Sequence, residues 1–134
     1  MKNLFVKIVC PDGEIYSGEV KSLLATTESG ELQVLAGHAP LAAAVATGRA
    51  KIAFLDGSEK TASVSGGFLT VSNSEAKLVC TTFEFSDEID LERARRAKEV
   101  AEAKIHNAKD DSELKLAKAK LMRALSRISV ADKK

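Results

Sequence analysis

Glycine and proline are confined to one half of this chain of 134 residues. All eight Gly and both Pro lie between Cys10 and Phe68, and residues 68–134 contain neither. Both residue types mark turns and interrupt helices, so the second half can form long uninterrupted elements that the first half cannot. The hydrophobic period also changes near Ser86. The sequence therefore predicts two parts, residues 1–86 and residues 87–134, with different secondary structure.

The first part reads as short runs rich in β-branched and aromatic residues, separated by turn signals. These runs cover residues 4–10, 15–16, 20–27, 31–35, 41–45, 51–55, 60–65, 68–72 and 77–83. Closely spaced short strands of this kind favour an antiparallel sandwich or barrel. Asp56-Gly57 is the strongest hairpin signal, because Gly tolerates the positive φ of a tight turn. Gly66-Gly67 precedes another strand and not a helix, which predicts a β-bulge or a close strand crossing instead of a phosphate-binding loop.

The second part has the period of amphipathic helices. Ser86 or Asp87 is the expected N-cap of a first helix that ends near Asn107, and Asp111 or Ser112 the expected cap of a second. Apolar stripes follow each helix, at residues 94, 97, 101, 105 and 108, and at 114, 117, 121, 124, 125, 128 and 131. Both stripes are rich in alanine, which buries little area per residue. We therefore predict an αα-hairpin whose packing is weak enough to open.

Charge and composition exclude several classes of protein. The formal net charge is +1, with −2 on residues 1–86 and +3 on residues 87–134, which lacks the basic excess of a nucleic-acid-binding protein. A nucleic-acid interpretation of Arg93, Arg95 and Arg96 is further weakened by the interspersed Glu92 and Glu99. Residues 32–48 form the longest charge-free stretch, which is shorter than the roughly 20 apolar residues of a membrane-spanning helix. The N-terminus has no signal-peptide pattern, so we expect a cytosolic chain that meets a membrane only through a partner.

Few residues are available for catalysis or metal binding. The histidines are His38, between Gly37 and Pro40, and His106, and neither has metal-ligand spacing to other candidates. A histidine in such a turn more often bonds its own turn than acts in catalysis, although a small hydrolase using His38 stays a rival hypothesis. Cys10 and Cys80 lack metal-ligand spacing, and we expect both to be structural.

One local pattern has binding chemistry. Asp90 and Arg93 lie three apart in the first turn of the predicted helix, and the antiparallel hairpin brings Arg123 and Arg127 back beside them. Guanidinium groups bind phosphates bidentately, and a carboxylate can accept hydrogen bonds from an adenine amino group or a ribose hydroxyl. The alternative is an Asp–Arg helix pair with solvated arginines. Spacing alone leaves both interpretations open.

Three motifs, in order, resemble the epsilon subunits of the F-type rotary ATP synthase. They are residues 29–41 (SGELQVLAGHAPL), residues 64–69 (VSGGFL) and the ending at residues 127–131 (RISVA). The resemblance covers essentially the whole chain. It implies an α+β architecture, with an N-terminal ten-stranded antiparallel β-sandwich followed by a C-terminal αα-hairpin.

The resemblance also implies a function. The chain is expected to be a non-catalytic subunit of the central rotor stalk, at the cytoplasmic face of a bacterial membrane, coupling ion-driven rotation to ATP synthesis without a required cofactor. Its expected partners are the gamma subunit and the c-subunit ring, which the sandwich contacts, and an acidic loop of a beta subunit. The hairpin is expected to extend to that loop and restrain ATP hydrolysis. The basic residues that fit this contact are Lys115, Lys118, Lys120, Arg123 and Arg127.

Some bacterial members of this family bind ATP as a regulatory ligand in the folded hairpin. Their motif, Ile/Leu-Asp-x-x-Arg-Ala, is matched here by residues 89–94. The resemblance thus implies an ATP site formed by Glu84, Ile89, Asp90, Arg93, Ala94, Arg123 and Arg127. A further Arg of tight binders is Val100 here, so weak binding is expected. Without the resemblance, the leading hypothesis is a β-sandwich adaptor that binds an acidic protein partner through its hairpin.

Overall fold

The computed structural model describes residues 3–131, and the ends of the two predicted parts, residues 1–2 and 132–134, lie outside the described residues. Seven strands come first: β1 (Leu4–Cys10), β2 (Gly13–Val20), β3 (Ser22–Thr27), β4 (Gly30–Leu35), β5 (Leu41–Ala53), β6 (Glu59–Ser72) and β7 (Glu75–Phe85). A single 3-10 turn, Ser86–Glu88, connects them to two helices, α1 (Leu91–His106) and α2 (Asp111–Ala131). The change from strands to helices occurs where the hydrophobic period changes.

The strands are hydrogen-bonded in the order β2-β1-β7-β6-β5-β3-β4, and the sheet forms two layers. One layer contains β2, β1 and the first half of β7, paired with the second half of β6 and the first half of β5. The other contains the remaining halves of β7, β6 and β5 together with β3 and β4. Three long strands therefore pass through both layers.

The predicted ten-stranded antiparallel sandwich is not confirmed in its strand count or in its pairing. The structure has seven strands, because each of β5, β6 and β7 stays continuous where the layers meet and contributes one half to each layer. The residues of β6 that face the core are odd-numbered in one half of the strand, Leu69 and Val71, and even-numbered in the other half, Ala62 and Val64. One pair is also parallel, since β1 runs beside β7 in the same direction.

The crossing between the layers depends on Gly67. A Cβ atom on Gly67 would overlap the carbonyl oxygen of Val79 on the neighbouring strand, so only glycine fits this close approach. This finding confirms the predicted close strand crossing at Gly66-Gly67.

Two predicted turns are confirmed by their backbone angles or hydrogen bonds. Asp56-Gly57 joins β5 to β6, with Gly57 at φ +92° and the Asp56 carboxylate accepting hydrogen bonds from the backbone and side chain of Ser58. In the turn after β4, the His38 ring bonds the carbonyl oxygen of Ala39 at 2.8 Å. His38 thus bonds its own turn, as expected of a structural histidine.

The main hydrophobic core lies between the two layers of the sandwich. Its large, fully buried side chains come from all seven strands, and the largest are Leu4, Ile8, Leu23, Ile52, Leu69 and Leu78. Burying a side chain of this size stabilises the fold by about 1.5–3 kcal/mol. A second, much smaller cluster joins the end of α2 to the segment that leads into α1 and contains Ile89, Val130 and Ala131, with Leu91 packed against it.

Both helices begin at a different cap from the predicted one. The Asp90 side chain accepts a hydrogen bond from the backbone N–H of Arg93 at 3.1 Å and caps α1, because the 3-10 turn occupies residues 86–88. Asp110 likewise accepts from the backbone N–H of Glu113 at 2.8 Å at the start of α2. The caps predicted at Ser86 or Asp87, and at Asp111 or Ser112, are therefore wrong, although an aspartate performs the role in both helices.

The hairpin packs on the sandwich through α2, which contacts β5 and β6. The contact is partly polar: the hydroxyl groups of Ser63 on β6 and Ser126 on α2 lie 2.8 Å apart. Within the hairpin, the buried side chains facing the helix–helix contact are alanines, among them Ala94, Ala101, Ala117 and Ala124. The small apolar area supports the predicted weak packing.

We expect Gly67→Ala to lower the free energy of unfolding by about 3 kcal/mol, because the new methyl group overlaps backbone that cannot move without disrupting the ladder. Urea denaturation of the full chain measures this change. Gly66→Ala is the matched control, since its Cβ would lie 3.8 Å from the nearest heavy atom, the carbonyl oxygen of Val45, and should change stability by less than about 1 kcal/mol. Equal losses in the two variants would contradict the close-approach explanation.

Candidate functional site

A cavity of about 380 Å³ opens where β7 passes into the helical hairpin. Its lining comes from the end of β7, the 3-10 turn, the first turns of α1 and one residue of α2. The lining residues are Glu84, Glu88, Ile89, Asp90, Arg93, Ala94, Ala97 and Arg127. Three carboxylates and two guanidinium groups thus surround one small space.

An ion pair in this cavity joins the hairpin to the sandwich. Arg127 donates a hydrogen bond from Nε to Oε1 of Glu84 at 2.5 Å, and the side chains are 26% and 37% exposed. Partial burial makes such a charge-assisted bond stronger than a fully exposed pair. A guanidinium group has five N–H donors, so Arg127 can bind Glu84 and still donate to a ligand.

Asp90 has a structural and a potential binding role. Its Oδ1 accepts the backbone N–H of Arg93 and caps α1. A carboxylate has two oxygens, so Oδ2 can accept a hydrogen bond from a ligand in the cavity. The Arg93 side chain lines the same space from the first turn of α1. Acceptor and forked donor therefore lie side by side, an arrangement suited to a nucleoside phosphate.

The cavity brings together six of the seven residues expected at the ATP site, with Arg123 the exception. Glu84, Ile89, Asp90, Arg93, Ala94 and Arg127 line it. Arg123 lies one helical turn from Arg127 toward the bend of the hairpin and is absent from the lining. Glu88 and Ala97 were missed by the sequence analysis. Ala97 follows Arg93 by one helical turn, so spacing could have identified it, whereas Glu88 lies in a 3-10 turn that the pattern did not predict.

The five basic residues expected to contact an acidic partner do not share one face of α2. Lys115 and Lys118 line a shallow cleft with Asp111, Ser112 and Leu114. Lys120, Arg123 and Arg127 lie at helical spacing on another face. There the pKa of Lys120 is lowered from its usual value mainly by the positive charge of Lys104, with lesser effects of desolvation and Arg123.

The part of the chain that the structure describes offers no metal centre. Within residues 3–131, no group of His, Cys, Asp and Glu side chains is arranged to hold a metal ion. Over the same residues, neither helix has the length and apolar character needed to cross a membrane. The cavity at the hairpin combines a concave shape with convergent polar groups, which makes it the candidate binding site.

Two family models match adjacent segments of the chain. The first describes the beta-sandwich domain of the ATP synthase Delta/Epsilon chain and matches residues 3–86. The second describes the long alpha-helix domain of the same chain and matches residues 87–132. Together they cover nearly the whole sequence.

Similar proteins and structures agree with these matches. The ATP synthase epsilon chain of Bacillus pumilus is 38% identical to this chain, over 99% of this chain and 100% of the relative. The ATP synthase epsilon chain of Staphylococcus aureus is also 38% identical, over 100% of both chains. A chain of the Euglena gracilis mitochondrial ATP synthase has a similar fold, with a TM-score of 0.83 and 24% identity over 96% of this chain and 81% of that one. A chain of the Tetrahymena thermophila enzyme gives a TM-score of 0.64 at 16% identity, over 98% and 96% of the two chains. By its two domains and its end-to-end similarity to these bacterial relatives, the chain belongs to the ATP synthase epsilon chain family.

Proposed function

We propose that the chain is a non-catalytic subunit of the central rotor stalk of a bacterial F-type ATP synthase, coupling ion-driven rotation to ATP synthesis. The observation that carries this proposal is the match to ATP synthase epsilon chains, which spans 99% of this chain and 100% of the Bacillus pumilus relative. The similar chain from Tetrahymena thermophila belongs to a structure described as central stalk and c-ring. The proposed location is the cytoplasmic face of the cell membrane, where the chain is peripheral and held by the complex.

The sandwich carries an exposed apolar surface suited to docking on the gamma subunit, next to the c-subunit ring. Four apolar residues are cross-strand neighbours on the outer face of the sheet, and we call them the apolar row. They are Val9 on β1, Val79 on β7, Phe68 on β6 and Ala44 on β5. Phe68 is 66% exposed and Val79 is 43% exposed. Contiguous exposed apolar groups of this kind mark interaction surfaces. The row lies on the layer opposite to the one that α2 covers, so a partner can bind it while the hairpin moves.

The hairpin is proposed to bind ATP in the cavity whose lining includes Glu84 and Arg127. The cavity groups come from three elements: Glu84 from β7, Asp90 and Arg93 from α1, and Arg127 from α2. A nucleotide that contacts all three holds the hairpin closed against the sandwich. At ten times its dissociation constant, a ligand stabilises the bound form by about 1.4 kcal/mol, which shifts a marginal equilibrium about tenfold.

Weak affinity follows from the charges. Three carboxylates offset two guanidinium groups around the cavity, and position 100, where tight binders have an Arg, is a 54% exposed Val. A triphosphate therefore meets repulsion as well as attraction. The closed hairpin should consequently respond to ATP only when the nucleotide is abundant.

When the hairpin opens, its basic helix is proposed to contact an acidic segment of a beta subunit and restrain ATP hydrolysis. Lys115 and Lys118 are exposed on α2 in the closed form. Opening the hairpin also frees Arg127 from Glu84 and adds it to Lys120 and Arg123 on the other face. Charge complementarity of this type guides association and orientation.

Calorimetric titration of the full chain with ATP tests the nucleotide site. We expect weak saturable binding, and Arg93→Ala should reduce the affinity about tenfold or more because a charge-assisted hydrogen bond to phosphate is lost. Arg93 is preferred over Asp90 as the tested residue, since changing Asp90 also removes the cap of α1. Arg95→Ala on the same helix is the control, because Arg95 is exposed and outside the cavity. Absence of binding at millimolar ATP, or equal affinity in the two variants, would contradict the proposed site.

ATP hydrolysis by the catalytic core, reconstituted with the full chain or with a chain truncated after Ser86, tests the inhibitory role. Truncation should raise hydrolysis because the hairpin is removed, while the sandwich keeps its own core and still co-purifies with gamma. Equal hydrolysis with both chains bound would leave the rotor assignment intact and exclude inhibition by the hairpin. If neither chain binds, the rotor assignment itself is wrong.

Phe68→Glu should abolish co-purification of the chain with gamma, because it places a charge in the centre of the apolar row. Leu55→Glu is the matched control, since Leu55 is 52% exposed in the turn between β5 and β6 and lies away from the row. Circular dichroism and thermal unfolding confirm that both variants fold. Retention of the Phe68 variant in the complex would show that gamma docks on a different surface.

A further inference from the structure

Two cysteine sulfur atoms meet inside the sandwich, away from the hairpin and its cavity. Cys10 is the last residue of β1 and Cys80 lies in β7, 70 positions later, yet their Sγ atoms are 3.6 Å apart. Both residues are buried free thiols, with Cys10 8% and Cys80 3% exposed. Their proximity is produced by the parallel pairing of the first and last strands, which the sequence pattern did not predict.

The backbone around this pair already suits a disulfide. The last aligned positions of β1 and β7 are Val9 and Val79, so Cys10 and Cys80 are the next residues on two adjacent strands, both directed into the core. Neighbouring strands lie about 4.8 Å apart, which is within the Cα–Cα range of disulfides, about 4.4–6.8 Å. The sulfur atoms would need to approach by about 1.5 Å to reach bonding distance, a change that side-chain rotation can supply.

The pair has no other assigned role in the described part of the chain. Among residues 3–131 no cluster of metal-ligating side chains exists, so the two thiols are not part of a metal site. Neither cysteine lines the cavity at the hairpin. Buried cysteines often act simply as small apolar groups, but that role does not require two of them in sulfur–sulfur contact.

We propose that Cys10 and Cys80 are a redox-sensitive thiol pair, which a hydroperoxide converts into an intramolecular disulfide joining β1 to β7. The thiolate of Cys10 attacks one peroxide oxygen, forming a sulfenic acid and releasing the other oxygen as hydroxide, which is protonated to water. The sulfur of Cys80 then attacks the sulfur of Cys10 and displaces the second water molecule. Two thiols and one hydroperoxide thus give one disulfide and two molecules of water when the oxidant is hydrogen peroxide.

The surroundings of the sulfur atoms favour Cys10 as the first of the two to react. Burial, followed by the hydrogen bond and charge interaction with Cys10, raises the pKa of Cys80 to about 12. Cys80 is therefore a thiol at neutral pH and a poor first nucleophile. Cys10 is the more exposed of the two and directly precedes the turn at Pro11, so it is the residue that meets the oxidant first.

The disulfide would act as a clamp on one layer of the sandwich. In the strand order β2-β1-β7, the hairpin of β2 and β1 joins the rest of the sheet through the pairing of β1 with β7. A covalent bond at Cys10 and Cys80 prevents that hairpin from separating. It closes a loop of about 70 residues, and cross-links across long loops restrict the unfolded chain strongly. The oxidised chain should therefore unfold at a temperature several degrees higher than the reduced chain.

The test is to treat the full chain with hydrogen peroxide and map its peptides after trypsin digestion without reduction. We expect the peptides of residues 8–21 and 78–93, which contain the two cysteines, to be recovered as one linked species that dithiothreitol separates. The intact chain should lose two hydrogen atoms and remain monomeric. Thermal unfolding of the oxidised and reduced chains measures the stabilisation by the disulfide.

Cys10→Ser and Cys80→Ser are the matched controls, because each retains one thiol and cannot form the bond. Neither should show the linked peptide or the stabilisation by peroxide. If a variant fails to fold, the peptide map of the unmodified chain still decides the question. Separate overoxidation of each cysteine, a disulfide between two chains, or unchanged thiols would each overturn the proposal, and so would a linked chain that unfolds at the same temperature as the reduced one.

Discussion

The ion pair between Glu84 and Arg127 determines how the two parts of this molecule are joined. It links the last strand of the sandwich to the last turns of α2, and the contact between Ser63 and Ser126 lies on the same face of the sheet. The pair is only partly buried, so its charges retain some contact with water and separating them is far less costly than separating a pair in a dry interior. The junction is therefore specific in geometry and modest in strength, as the proposed opening of the hairpin requires.

The sandwich has a much larger hydrophobic core than the junction with the hairpin, which also makes the junction the weaker part of the molecule. The sandwich buries large aliphatic side chains between its layers, whereas the cluster at the junction has Ile89, Val130 and Ala131 as its buried members. Regions with few buried apolar contacts open at a lower free energy than the global fold. Opening of the hairpin would consequently leave the sandwich intact. The proposed docking surface on the sandwich and the proposed motion of the hairpin can thus belong to one short chain.

Turns and helices were largely predictable from the sequence, although both helix caps were placed at the wrong residues, and long-range strand pairing was not predictable. Asp56-Gly57 specifies its hairpin because the positive φ of Gly57 is a property of one residue, and the alanine stripes specify a helical pair by their spacing. The interruption of β5 and β6 was predicted wrongly, because residues 46–50 and 66–67 lack a clear strand pattern although the chain continues through both layers. The parallel pairing of β1 with β7 leaves no mark in either strand. It is therefore only in three dimensions that Cys10 and Cys80 become neighbours.

The residues of the candidate site were likewise predictable where local helical spacing positions them, and less so where the packing of the hairpin does. Four residues of one short motif, Ile89, Asp90, Arg93 and Ala94, reach the cavity together because the cap and first turn of α1 fix their relative positions. Arg127 reaches it because the hairpin is antiparallel, but Arg123, four residues earlier, lies outside the lining. A phosphate in the cavity would therefore have Arg93 and Arg127 as its adjacent cations, with Glu84 competing for the second of them. This competition connects the proposed weak affinity to the proposed motion, because Arg127 would hold the nucleotide and also holds the hairpin. A ligand bound there favours the closed state only if it contacts Arg127 without breaking the bond between Arg127 and Glu84.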